Sequence, residues 1–168
     1  MSRSNPNKRK HREARKTAQI VVEGYTEEAF CKYLKSVFAR DCGIYVEIYN
    51  CRGGSPQDVV LSAMKRRGFD RTFLVYDTDV TLPAQWAAKI RKEGFTKVAS
   101  SPCIEALFLE ILGERVPQDA AGCKREFLKY MSDVQKYDYR SYGTHFSREV
   151  LENCNHPAIK QLLSIFHP

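Results

Sequence analysis

The chain has 168 residues and a net charge of +7, with 27 Lys and Arg against 20 Asp and Glu. That length fits one compact domain with appendages, and hydrophobic residues at 43% fill an ordinary core, which excludes wholesale disorder. No apolar run reaches the roughly 18 residues a membrane span needs, and the N-terminus has no secretory apolar core, so a cytoplasmic protein with no membrane partner is expected.

The charge is concentrated at one end. Residues 1–18 hold seven Lys and Arg against Glu13 alone, which gives +6 and leaves +1 of the total for the remaining 150 residues. Residues 1–17 have no apolar periodicity and read as a flexible basic arm. Its Arg9, Lys10, Arg12, Arg15 and Lys16 are candidate phosphate contacts.

Residues 18–22 are a β-branched apolar run stopped by Glu23-Gly24, the pattern of a buried strand. Thr26 is placed to cap a helix with Glu27 and Glu28 in its first turn, and Phe30, Tyr33, Leu34, Val37 and Phe38 give it one apolar face. Ile44, Val46 and Ile48 alternate as a second strand. Gly53-Gly54-Ser55-Pro56 then opens a helix, with Asp58 completing a variant capping box. Residues 73–76 form a third strand running into Asp77-Thr78-Asp79. A helix over 83–93 is closed by Gly94, a fourth strand covers 97–99, and Ser101-Pro102 leads into a helix over 103–112. Further helices are expected over 124–134 and 157–166, separated by a tyrosine-rich stretch that is a candidate oligomer interface. Alternating strands and helices imply a mainly parallel sheet of about four strands in a three-layer α/β sandwich.

Parallel α/β sheets bind ligands beyond the carboxyl ends of their strands. Three strands here end in acidic or polar groups: Glu23, then Asp77 and Asp79, then Ser101 with Glu105 one turn into the next helix. Clustered carboxylates repel unless something neutralises them, and a hard divalent cation with oxygen ligands does so. Residues two apart on a strand point the same way, so Asp77 and Asp79 are expected to face one metal. Arg52 with the free N–H groups of Gly53, Gly54 and Ser55 is a candidate phosphate contact. With the arm immediately before the Glu23 strand, a phosphate backbone is expected to be held beside the acidic rim.

The strand followed by Glu23-Gly24-x-Thr26-Glu27, and the later strand ending Asp77-x-Asp79, resemble a Toprim domain. The segment Ser101-Pro102-Cys103-Ile104-Glu105 is similar to an element of the RloB-like branch, which is related to the Toprim domains of OLD-family nucleases. The resemblance implies a metal-dependent nuclease cutting DNA or RNA, active in prokaryotic anti-phage defence. It implies Glu23, Asp77 and Asp79 as catalytic, and Glu23, Glu27, Asp77, Asp79, Ser101 and Glu105 as ligands for Mg²⁺ or a substituting Mn²⁺. The catalytic lysine of such a site is open among Lys97, Lys124 and Lys129. The alternative is a non-catalytic Toprim-like module that binds nucleic acid or a partner ATPase. No P-loop motif occurs, so an ATPase would act as a separate subunit. On this reading residues 18–135 form the Toprim-like domain and 136–168 a helical or irregular extension packing on it. Six scattered cysteines without a C-x-x-C pair read as reduced thiols.

Overall fold

The computed structural model describes residues 15–40 and 42–167; most of the basic arm, including Arg9, Lys10 and Arg12, lies outside the described residues. Four strands, β1 (Thr17–Val22), β2 (Tyr45–Asn50), β3 (Arg71–Asp77) and β4 (Thr96–Ser100), pair in parallel in the order β2-β1-β3-β4. Between and after them run α1 (Tyr25–Phe38), α2 (Pro56–Lys65), α3 (Ala84–Glu93) and α4 (Ile104–Leu112). The chain continues through α5 (Ala120–Phe127), α6 (Asp133–Tyr137), a 3₁₀ helix (Tyr139–Thr144), α7 (Arg148–Asn153) and α8 (Pro157–Leu163). No helix among the described residues is long and apolar enough to cross a membrane.

The two-residue period of the strands sorts the core into two halves. Val21, Leu74 and Tyr76 pack on Val59, Val60 and Ala63 of α2 and on Trp86 and Ile90 of α3. Ala18, Ile20, Val22, Phe73 and Val75 face the other way, onto α1, α4 and the helices that follow. The result is the three-layer α/β sandwich expected from the alternation.

The local departures from expectation have simple causes. Helix α1 starts at Tyr25 with Gly24 as its N-cap, so Thr26 lies inside the helix and caps nothing. The single helix expected over 124–134 is two. Asp119 accepts a hydrogen bond from the Gly122 N–H and starts α5 early, while Ser132 and Gln135 form a capping box that starts α6. The boundary drawn between 135 and 136 therefore falls within α6. A short helix, α7, was not expected, and α8 ends at Leu163, short of 166.

The second half of the chain completes the larger core. Phe108 of α4 is fully buried, with ring centroids 4.8 Å from Phe30, 5.0 Å from Phe127, 5.6 Å from Tyr142 and 5.2 Å from Phe146. Tyr33 donates its hydroxyl hydrogen to the Phe146 carbonyl at 2.5 Å, tying α1 to the C-terminal region. Phe108→Ala is predicted to cost about 3–5 kcal/mol in chemical denaturation, while Val134→Ala, at an exposed position, changes stability by less than about 0.5 kcal/mol. Because both halves share this cluster, unfolding follows one transition. Two separated transitions would show that the C-terminal region folds apart from the sheet.

Candidate functional site

From β1 the chain crosses to β2 on one side, while β3 lies on the other, so the β1–β3 border is the topological switch point where such sheets open a crevice. The register sets Val22 beside Val75, and the Glu23 N–H continues it by donating to the Val75 carbonyl. Glu23 and Asp77 thus leave adjacent strands side by side. The Asp77 N–H donates to Glu23 Oε2 at 3.2 Å, and the Ile104 N–H donates to Asp77 Oδ1 at 2.9 Å. A Cβ at Gly24 would meet Glu27 Oε2 at 3.0 Å, so a larger residue there would press on the Glu27 carboxyl.

A cavity of about 230 Å³ opens at this point, lined by the carboxylates Glu23, Glu27, Asp77 and Glu105 together with Lys124, Tyr25 and Tyr137. Glu27 comes from the first turn of α1 and Glu105 from the first turn of α4, where the helix N-terminus favours negative charge. Glu105 is 2% exposed and its Oε2 has no hydrogen-bond partner. Its Oε1 lies 3.7 Å from the ammonium of Lys136, itself buried and held at 2.9 Å by Asp133.

Burial and mutual repulsion make Glu23, Glu27 and Asp77 reluctant to ionise. Asp77 is pushed up to about 8, first by burial and then by Glu27, Glu105 and Glu23. Glu27 is pushed up to about 7, again first by burial, with Glu105 and Glu23 adding to it. Glu23 is raised by burial and by Asp79, against the lowering effect of the Asp77 N–H. Burial works against the Lys124 charge, yet Glu105 and Asp77 outweigh it and the ammonium holds its proton more firmly than usual.

The structure therefore brings together four of the six expected ligands. Asp79 and Ser101 are exposed and do not line the cavity. The strand geometry that would align Asp79 with Asp77 stops at Asp77: the Thr78 and Asp79 N–H groups both donate to the Pro102 carbonyl, at 3.2 and 3.1 Å, drawing the loop toward the β4–α4 connection. Asp79 acts on the cavity through its charge on Glu23 and Lys124.

The phosphate-contact candidates divide in the same way. Gly53 and Gly54 line the cavity, but the Gly53 N–H is committed to the Glu23 carbonyl. The Ser55 N–H and hydroxyl both donate to Asp58 Oδ2 at 2.8 Å, the expected capping box, which leaves neither to cradle a phosphate. Arg15 and Lys16 are exposed before the start of β1, at the opposite edge of the sheet from the cavity. The six residues of β1 separate them from it by roughly 20 Å, so these two do not sit beside the acidic rim.

Of the three lysines considered, Lys124 faces the carboxylates; Lys129 pairs with Glu126, and Lys97 lines a separate cavity under α3. Lys136, Tyr25 and Tyr137 are additional members of the site or its support; Tyr137 begins the tyrosine-rich stretch read as a candidate interface, and no motif in the sequence marks the other two. The Asp133–Lys136 spacing is a signal for Lys136 only once α6 is recognised.

No protein-family model, curated protein or solved structure matches the chain.

Among the described residues no group of three His, Cys, Asp or Glu side chains is arranged as a ready metal site. The chemistry of the donors nevertheless fits a hard dication: oxygen ligands alone, an unpartnered buried Glu105 oxygen, and the Glu27 and Asp77 carboxyls raised by burial and then by neighbouring carboxylates.

Asp77 and Glu27 keep protons in the folded chain at pH values where the unfolded chain has released them. The folded state therefore binds more protons, and without a divalent cation its stability falls as pH rises from about 4 to about 8. Thermal melts in EDTA are predicted to show a lower Tm at about pH 8 than at about pH 5, with Asp77→Asn reducing that decline. A wild-type Tm that rises across this window would contradict the crowding.

Proposed function

We propose that this chain is a metal-dependent phosphodiesterase of Toprim-like architecture, a nuclease acting on DNA or RNA. The observation that carries the reading is the cavity at the β1–β3 switch point, where four carboxylates and one lysine converge and one buried carboxylate oxygen lacks a partner. The residues that would hold a divalent cation are Glu23, Glu27, Asp77 and Glu105, with Mg²⁺ the natural occupant beside a phosphate substrate and Mn²⁺ a substitute. Bound there, the ion supplies Lewis-acid stabilisation of the charge that develops on a phosphodiester.

The chain's own groups have separate tasks. Glu23 is half-buried with a raised pKa, which suits a general base taking a proton from the attacking water. Lys124 keeps its charge under the influence of Glu105 and Asp77, and is placed to stabilise the oxygen that leaves phosphorus. Asp77 is fixed in orientation by the Ile104 N–H, and Glu105 is held by Lys136. The role in anti-phage defence follows from the resemblance to the RloB-like and OLD groups and belongs to the same proposal.

The test incubates the purified chain with plasmid, single-stranded DNA and tRNA in Mg²⁺ or Mn²⁺. Asp77→Asn keeps an acceptor for the Ile104 N–H and so preserves the fold. Asp77→Asn and Glu23→Gln are each expected to lower cleavage by about 100-fold or more, and Glu93→Gln on α3 to leave it unchanged. Cleavage that survives Asp77→Asn rules out this site, and nucleic-acid binding without turnover makes the chain a non-catalytic binding module.

A further inference from the structure

Two large aromatic side chains stand at the mouth of the carboxylate cavity. Tyr25, 55% exposed, opens α1, and Tyr137, 58% exposed, closes α6; both line the cavity, with ring centroids 6.1 Å apart at an interplanar angle of 72°. Tyr142, only five residues on, is fully buried and donates its hydroxyl hydrogen to the Lys136 carbonyl at 2.9 Å. Packing thus accounts for Tyr142 but not for two phenol rings left in water beside four carboxylates.

Tyr25 also forms a wall of a second, adjoining cavity of about 470 Å³, shared with Asn50 and Arg52. Arg52 has φ +62°, the one residue other than glycine with positive φ among the described residues. The loop is pinned there: Asn50 Oδ1 accepts the Arg52 N–H at 2.6 Å, and Asn50 Nδ2 donates to Glu28 at 2.6 Å. Backbone conformations of this kind cost energy and persist where the surroundings enforce them, commonly at ligand sites. An exposed guanidinium, two neighbouring exposed rings, the carboxylates and Lys124 therefore line two cavities that share Tyr25.

We propose that an unpaired base stacks on the exposed side of the Tyr25–Tyr137 pair, on the face of one ring and against the edge of the other, while Arg52 receives a neighbouring phosphate, so that the substrate is single-stranded nucleic acid. Base faces are hidden inside an intact duplex and are available in a single strand, where aromatic rings and cations together form a sequence-tolerant platform. The chemistry at the cavity rests on the nuclease reading; the stacking itself does not.

The test measures binding of the full chain to a fluorescently labelled 20-nucleotide single strand and to its duplex by anisotropy, with Ca²⁺ in place of Mg²⁺. The single strand is expected to bind more tightly. Tyr25→Ala and Tyr137→Ala should each weaken it by about fivefold to a hundredfold, the range found for the loss of one stacked base, while Tyr25→Phe and Tyr137→Phe retain affinity. Tyr45→Ala, an exposed tyrosine on β2 away from the cavity, is the control and should bind as wild type. Equal affinity for duplex, no binding of the single strand, or alanine variants indistinguishable from wild type would each overturn the proposal. Parallel cleavage assays separate the two readings. Tyrosine-dependent binding without cleavage removes the nuclease and leaves the platform, whereas Asp77-dependent cleavage with tyrosine-independent binding does the reverse.

Discussion

β1 and β3 are hydrogen-bonded neighbours although α1, β2 and α2 lie between them in the chain, and their parallel register places Val22 against Val75. That pairing sends Glu23 and Asp77 out of the sheet together, linked by the Asp77 N–H. The strand period then decides what joins them. Asp77 continues the side of β3 that carries Phe73 and Val75, the side covered by α1 and α4, and the first turns of those helices bring Glu27 and Glu105. Shift the β1–β3 register by one residue and both the core face and the carboxylate cluster are lost at once.

Like charge in a partly buried cavity works against the stability of the fold, and the chain moderates it in several ways. Burial keeps Asp77 and Glu27 protonated near neutral pH, helix N-termini favour the carboxylates of Glu27 and Glu105, and Lys124 and Lys136 contribute positive charge. What stays unbalanced is informative. A carboxyl oxygen of Glu105 is buried with no partner; Gln19 Oε1, Arg66 Nε and Trp86 Nε1 share that lack among the described residues, but of the four only Glu105 lines the carboxylate cavity. The proposed dication would supply the partner that the Glu105 oxygen lacks.

The α/β order was legible in the sequence because β-branched runs, glycine stops and the Ser55–Asp58 box are local signals, and the structure keeps all of them. Glu23, Glu27, Asp77 and Glu105 were legible because strand ends and first helical turns converge in any parallel sheet. Asp79 shows the limit of that logic. The same-side rule needs extended backbone, and the hydrogen bonds of Thr78 and Asp79 to the β4–α4 connection end the extension. Tyr25, Tyr137 and Lys136 were hidden for another reason, since their positions depend on long-range packing of α6 against α1 and α4. The split between α5 and α6 is marked in the sequence only by Ser132 and Gln135, a signal that the apolar spacing across it overrides.

The proposal that the carboxylates at the β1–β3 switch point hold a divalent cation is tested most directly by a crystal soaked in Mn²⁺. Anomalous density is expected within the cavity, with Glu23, Asp77 and Glu105 turned toward it and the free Glu105 oxygen engaged. A cavity that stays free of Mn²⁺, with its carboxyl groups unmoved while the ion binds elsewhere or not at all, would contradict it.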